Sequence, residues 1–311
     1  MSDLDAAAAA RAGVAHGESA RQIAEFLGRA SFETTRLAAA DLVALKDLGD
    51  ACVYVSAIPS RPVEEQIAVA AAVRANGVEP VPHIAVRDFA SVQALGAQLA
   101  RMVERAAVRR VLIIAGDRAE PAGPFHASIE LIESGLLQDC GIQDIGIAGY
   151  PDGHSRISTL DLDRALAAKL EAAEQTGLRV HIVTQFAFAA EPILRWLARL
   201  RDLGIDHPVR IGFAGPTTLT SLLRFARICG VTTSAQALVR NAGLVRNMFG
   251  LATPDRLVRP VAEACANHRF GKVTPHLYSF GGLAATARWA AAVKAGRIEL
   301  DHAGGFSVAP P

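Results

Sequence analysis

The sequence predicts an α/β fold, a (β/α)8 TIM-type barrel with a helical insertion between strands 7 and 8, and three observations carry that expectation. Eight strand-like apolar runs alternate with runs whose apolar positions recur every three or four residues. Gly or Pro marks most junctions, as at Asn76-Gly77, Gly116, Thr176-Gly177 and Gly215-Pro216. Four polar motifs each follow a β-rich run and precede a helical one: Ser31-Phe32-Glu33, Ala115-Gly116-Asp117, Gly149-Tyr150-Pro151-Asp152-Gly153-His154 and Thr184-Gln185-Phe186. In a β/α chain that junction is the carboxyl end of a parallel strand, where a barrel gathers its active site.

In chain order, strands are expected at residues 30–35, 51–58, 79–86, 109–115, 144–150, 179–186, 208–213 and 275–280. Residues 91–106, 161–176, 190–203 and 219–229 keep the spacing that lays an apolar stripe along one helix face. Residues 1–29 are expected to form a helical extension and 30–311 one barrel domain, because no linker or low-complexity tract divides the chain. The insertion, roughly 232–272, carries two further helical patterns. A doubly wound open sheet is the competing architecture. The first strand lacks a following GxGxxG turn, which argues against its dinucleotide-binding version.

Bulk properties narrow the function classes. The 311 residues are 51% hydrophobic and 20% charged, with a net charge of +1. That balance provides no basic excess to displace counterions from a nucleic acid. Cys52, Cys140, Cys229 and Cys265 are widely spaced with no CxxC pair, and read as reduced thiols rather than a disulfide frame or zinc site. Residues 1–10 lack a basic segment followed by an apolar core, and no apolar run approaches the roughly 18 residues that span a bilayer. A cytoplasmic protein without membrane or nucleic-acid partners is expected, and a homo-oligomer is compatible with the sequence. The arginines of 101–105 and 109–110 read as a solvated helix face and the entry to the fourth strand.

At its motifs the chain resembles the methylenetetrahydrofolate reductase family, flavin-dependent barrels of folate one-carbon metabolism. Ser31-Phe32-Glu33 is similar to the family's first-strand Ser-Phe-Glu, and Pro82-His83-Ile84 to its third-strand Pro-His-Leu. Gly116-Asp117 resembles the end of its Arg-Gly-Asp, and Tyr150-Pro151-Asp152-Gly153-His154 its Tyr-Pro-Glu-x-His. Thr184-Gln185-Phe186 resembles its Thr-Gln-Phe, and His276-Leu277-Tyr278-Ser279 its last-strand His-Phe-Tyr-Thr. Six motifs occur in the family's order, over about residues 30–296. The departures are as specific. Ala115 stands at the family's Arg, Ala173 at a basic helix position, and Phe280-Gly281-Gly282 where an Asn-Arg pair serves the folate's glutamate tail.

The resemblance implies an oxidoreductase that interconverts 5,10-methylenetetrahydrofolate and 5-methyltetrahydrofolate with NADH or NADPH through bound FAD. Glu33, Asp117 and Gln185 are the implied catalytic residues. Glu33, the single carboxylate of its strand, would protonate the departing nitrogen-10, a task that suits an acid whose pKa burial has raised. Asp117, beside a Gly that lets a flat ring approach the backbone, would accept from the amino-pyrimidine edge of a pterin. Gln185 would contact pterin and nicotinamide in turn, and Phe225 would stack on substrate. Ser56, His83, Ala115, Gly116, Asp117, Tyr150 and His154 match positions along the flavin. Loss of bases at 115 and 173 leads to an expectation of weaker FAD binding, with flavin-free hydride transfer or a non-catalytic folate-binding homologue as alternatives. No metal is expected, since neither HxxxH nor HxH occurs.

Overall fold

The computed structural model describes residues 16–59, 61–229 and 251–309. Eight parallel strands close on themselves in chain order: β1 (Ser31–Thr34), β2 (Cys52–Val55), β3 (Glu79–Ala85), β4 (Arg110–Ile114), β5 (Asp144–Gly149), β6 (Arg179–Phe186), β7 (Val209–Ala214) and β8 (Val273–Tyr278). β1 pairs with β8 through Ser31 opposite His276 and Glu33 opposite Tyr278, which closes the barrel. All eight expected strands are present. The last lies two residues earlier than expected, so Phe280 sits beyond the strand rather than in it.

A helix over 16–27 precedes β1 and is α1. Then come α2 (Ala39–Leu45), α3 (Val63–Ala75), α4 (Val92–Ala106), the short α5 (Ser128–Glu133) and α6 (Leu136–Asp139), α7 (Thr159–Gln175), α8 (Ala190–Asp202), α9 (Leu219–Ile228), α10 (Asp255–Cys265) and α11 (Leu283–Lys294). Side chains cap three of them at the carboxyl ends of strands. Ser91 accepts from Ala94 N at α4, Ser158 from Asp161 N at α7, and Thr218 from Ser221 N at α9. Buried Asp41 ties two helix starts together, accepting from Ala38 N at 2.8 Å and Ala284 N at 2.7 Å. α10 is one of the helices expected in the insertion; positions 230–250 lie outside the described residues. A hairpin of β9 (Ile298–Leu300) and β10 (Phe306–Val308) follows α11, and Phe306 stacks on Trp289.

The period of two along each strand sorts the core into two compartments. Outward residues such as Phe32, Val53, Val55, Val111, Ile113, Ile145, Ile147, Val209 and Ile211 join the helices in one large apolar cluster. The inward set is different in kind. Cys52, Tyr54, Val81, Leu112 and Val183 form a small apolar group at the centre, and around it stand Ser31, Glu33, His83, His181, Arg110, Arg210 and His276. A barrel interior this polar must satisfy itself by internal bonds, and those bonds set up both mouths.

Candidate active site

Glu33 is the centre of the carboxyl-end mouth. Its side chain is 12% exposed. Oε1 accepts from Ser56 Oγ at 2.7 Å, and Oε2 lies 3.1 Å from His276 Nε2. His276 is fully buried, and Ser31 Oγ stands 2.9 Å from its Nδ1. Burial lowers the pKa of His276, so the ring is neutral at pH 7 and carries one proton. Placed on Nε2, that proton is donated to Glu33, while Nδ1 accepts from the Ser31 hydroxyl. His83 Nε2 lies 3.4 Å from the same Glu33 oxygen, is buried, and makes no hydrogen bond. It is an orphaned polar atom aimed into the mouth.

This geometry corrects the expectation for Glu33. Burial does push its pKa up, but the imidazoles of His83 and His276 outweigh that and hold the carboxyl well below the usual carboxylate range. At rest Glu33 is a carboxylate. The sequence neighbourhood contains no base because both histidines arrive from other strands, β3 and β8.

Gln185 closes the mouth on the β6 side. Its Nε2 donates to Cys229 O at 2.9 Å, at the carboxyl cap of α9, which fixes the amide plane and leaves Oε1 and the second N–H for a ligand. The register of β6 against β7 shifts between Val183 and Phe186, which lets Gly212 N donate to Thr184 Oγ1. That bulge re-aims the Thr184-Gln185-Phe186 end of the strand. Tyr278, at the end of β8, donates to Thr184 O at 2.9 Å and locks the two strand ends together. Burial pushes the Cys229 thiol up to about 12, with Glu33 and Asp117 adding to the shift, which places Cys229 within the field of both acids.

Asp117 is exposed at the end of β4. Gly116 before it has φ +94°, and a Cβ there would meet the Ala85 Cβ at 3.1 Å, so only glycine lets the chain turn this close to β3. Ala115 is half-buried and its carbonyl accepts from Arg87 N at 3.0 Å. Arg87 also holds the loop that follows, donating to His126 O at 2.7 Å. Tyr150 and His154 form an edge-on pair with centroids 5.4 Å apart. Burial raises the Tyr150 pKa, and Asp117 raises it further. Burial lowers that of His154, with Arg156 acting in the same direction and Asp117 against it. Asp117, Tyr150 and His154 therefore share one electrostatic neighbourhood, next to that of Glu33.

Phe225 sits on α9 with its ring stacked on Phe280, 4.2 Å between centroids and 12° between planes. Phe280 also packs on Tyr278 and on Phe186, at 5.6 and 5.1 Å. Sequence reading gave Phe225 a stacking role and named Phe280 only as standing where the family's Asn-Arg pair would be. Nor did it assign roles to Ser31 and His276, although Ser31 shares the inward parity of Glu33, two residues away. The basic residue missing at 173 has a simple counterpart. Ala173 is fully buried, and one turn earlier Lys169 is buried too, its pKa lowered by burial to about 8. Among the described residues, no group of three or more His, Cys, Asp or Glu side chains is arranged to hold a metal ion, and no helix is long and apolar enough to cross a membrane.

Fold and site together define a (β/α)8 barrel whose carboxyl-end mouth carries a buried carboxylate, an exposed aspartate and an anchored amide. The chain belongs to the methylenetetrahydrofolate reductase family, whose model matches residues 52–247. It is 27% identical over 158 residues to a 5,10-methylenetetrahydrofolate reductase of Pectobacterium carotovorum subsp. carotovorum, and 26% identical over 158 residues to one of Salmonella typhimurium strain LT2. Each match covers 50% of this chain and 50% of the relative, so the chain spans about half the length of the curated relatives it matches. Among solved structures, two of dihydropteroate synthase from Thermus thermophilus are similar. One, in complex with 6HMPPP, has a TM-score of 0.47 and 15% identity, over 86% of this chain and 92% of that one. The other has a TM-score of 0.44 and 18% identity, over 85% and 93%.

Proposed function

We propose that this barrel moves hydride between NADH or NADPH and the 5,10-methylenetetrahydrofolate/5-methyltetrahydrofolate pair, with FAD as the intermediate carrier. The observation that carries the reading is Glu33: one buried carboxylate, hydrogen-bonded on both oxygens, at the centre of a strand-end mouth in a chain of this family. A hydride acceptor on nitrogen-5 forms only when the folate's imidazolidine ring opens, and opening needs a proton at nitrogen-10. Glu33 is the group placed to exchange that proton. Its ionised resting state suits the oxidative direction directly, where it takes the proton from nitrogen-10. In the reductive direction a folate covering the mouth expels water, favours the neutral acid, and so raises the pKa toward the working range. His276, itself fixed by Ser31, keeps the accepting oxygen in place throughout.

The other residues bind and orient. Asp117 accepts from the two-donor edge of the pterin, a charge-assisted contact. Gln185, its amide plane fixed by the bond to Cys229 O, keeps its carbonyl oxygen as an acceptor and its second N–H as a donor for the ligand.

For a flavin, the residues present fit the ring better than the phosphates. Gly116 opens the backbone beside Ala115 where a Cβ would intrude, the orphaned His83 Nε2 supplies a polar partner, and Tyr150 and His154 flank the same edge. A bound flavin would supply two-electron relay between nicotinamide and folate. Ala115 offers no cation to a pyrophosphate. Arg118 and Arg156 stand nearby in the β4 and β5 loops, and the amino-terminal turn of α7 supplies backbone N–H groups. We therefore expect weak, reversible FAD binding. Direct hydride transfer is the second reading, and the alanine at 115 favours it. Titration of the purified protein with FAD, followed at the visible flavin bands and by folate turnover, separates the two. Saturable activation by FAD supports the first reading. Full turnover with no flavin at any concentration overturns it in favour of the second.

A further inference from the structure

We propose that the amino-terminal mouth of the barrel, opposite the candidate active site, is a second binding site, and that it takes a small organic phosphate. The cleft there has a volume of about 970 Å³ and runs from the barrel axis out between α2 and α11. Such a volume suits a compact ligand rather than a macromolecule. Seven Lys or Arg side chains line it against three carboxylates, in a chain whose net charge is only +1. This local excess is what the near-neutral bulk composition conceals.

Two of those cations are aimed at one point. Arg110 from β4 and Arg210 from β7 reach across the mouth from different sides, and their guanidinium nitrogens lie 3.5 and 3.9 Å from the sulfur of Cys52. Arg110 shares Asp144 at 3.8 Å with Arg179, which holds that carboxylate at 2.7 Å and is its main partner. Arg210 has no carboxylate within ion-pair distance among the described residues; its guanidinium lies 5.9 Å from the Tyr54 ring centre. Two guanidinium forks facing one point match the oxygens of a tetrahedral oxyanion.

A third donor joins them. The Tyr54 hydroxyl lies 2.5 Å from His181 Nε2, and among the described residues it makes no other hydrogen bond. Tyr54 therefore donates, and Nε2 accepts. Burial, with Arg210 and Arg110 adding to it, lowers the pKa of His181 to about 3, so the ring is neutral and its one proton sits on Nδ1. His181 lines the cleft. A neutral imidazole N–H thus stands beside two fixed cations whose shared acceptor is the weak Cys52 sulfur, with Asp144 held mainly by Arg179.

The rest of the cleft dictates what the phosphate is attached to. Val43, Ala44 and Leu48 from one side and Ala287, Ala290 and Ala291 from the other make an aliphatic slot. Asp47 and Asp50 stand at its edge as acceptors for hydroxyl or amino groups. A flat body with hydroxyls and one phosphate, as in a nucleoside monophosphate, meets all three features.

The test uses the whole protein and AMP as probe, with adenosine and inorganic phosphate beside it at matched ionic strength. AMP is expected to raise the melting temperature by about 2–4 °C for each tenfold excess over its Kd. Inorganic phosphate gives a smaller rise, and adenosine none. Arg210→Met should abolish the AMP shift. Val43→Trp, at a position 65% exposed, should abolish it by filling the slot while leaving folate turnover unchanged. If Arg210→Met does not fold, Val43→Trp decides alone. No shift with AMP beyond that of sodium chloride overturns the proposal. So does a shift that survives Val43→Trp undiminished, because the nucleotide is then bound elsewhere.

Discussion

The two mouths of the barrel are built from inward residues of the same strands, yet their electrostatics are opposite. At the carboxyl end the buried carboxylate of Glu33 is surrounded by Ser56, His83 and His276, with Asp117 exposed at the rim. At the amino end two guanidiniums converge on Cys52 beside a neutral His181. One strand shows the whole gradient: Cys52 meets the cations, Tyr54 fills the axis, and Ser56 donates to Glu33. Tyr54 also joins the ends physically, since its hydroxyl reaches His181 while its ring packs on that of His276 with centroids 4.6 Å apart. Two steps of two residues, each keeping the inward parity, carry the barrel from an anion that wants donors to cations that want an acceptor. The lesson is that a side chain's height along its strand decides which partners it meets, and hence its charge state.

The sharpest break of this comparison is at Glu33. Glu33→Gln should lower folate turnover by about 10²–10⁴-fold. NADH oxidation by an artificial acceptor should stay near wild type, because only the folate half-reaction moves a proton at nitrogen-10. Folate turnover at the wild-type rate would remove the carboxylate from the chemistry.

The amino end responds to pH through stability instead. His181 has a folded pKa near 3 against 6.5 when exposed, a depressed value. Between those values the unfolded chain holds a proton that the folded one does not, so stability is full above pH 6.5 and falls as the pH drops. The loss is up to about 1.4 kcal/mol per pH unit. His276, also lowered by burial, adds in the same direction. Thermal melts at pH 7, 6 and 5 should show a falling midpoint, and His181→Asn should flatten the profile by about one proton. A profile that is equally steep in His181→Asn would place the acid sensitivity elsewhere.

Asp117→Asn tests the rim of the carboxyl end. Losing a charge-assisted acceptor should cost about 1.5–3 kcal/mol of folate binding, read as a raised KM. Unchanged folate kinetics would remove Asp117 from the site. The smallest effect is expected from Phe280→Ala. It frees one face of Phe225 and removes a stacked pair worth about 0.5–1.5 kcal/mol. If Phe225 stacks on substrate, this variant changes KM; if it is only core, stability alone shifts.

Much of the site was legible because the motifs sit at strand ends. Glu33, Gln185 and Asp117 follow apolar runs closely enough that local pattern alone places them at the mouth. Glu33's protonation state was not legible. His83 and His276 lie 50 and 243 residues away in sequence, and only closure of β1 against β8 brings the second within 3.1 Å. Arg110 was read as the entry to the fourth strand, and β4 does begin there. What its sequence neighbours do not show is that its parity points it inward, to 3.5 Å from Cys52. Phe280 was expected as the last residue of the eighth strand, whereas that strand ends at Tyr278 and Phe280 stacks on Phe225 from beyond it.

By itself the sequence determined the order of strands and helices, the helix caps at Ser91, Ser158 and Thr218, and the polar motifs that end strands 1, 4, 5 and 6. Those features depend on hydrophobic period and on local hydrogen bonding, which act over a few residues. Tertiary structure alone decided the ionisation of Glu33, the proton position on His181, the stacking of Phe225 on Phe280 and the meeting of Arg110 with Arg210. Each depends on groups from different strands brought into a medium with little water, where burial and one neighbouring charge outweigh anything the local sequence supplies.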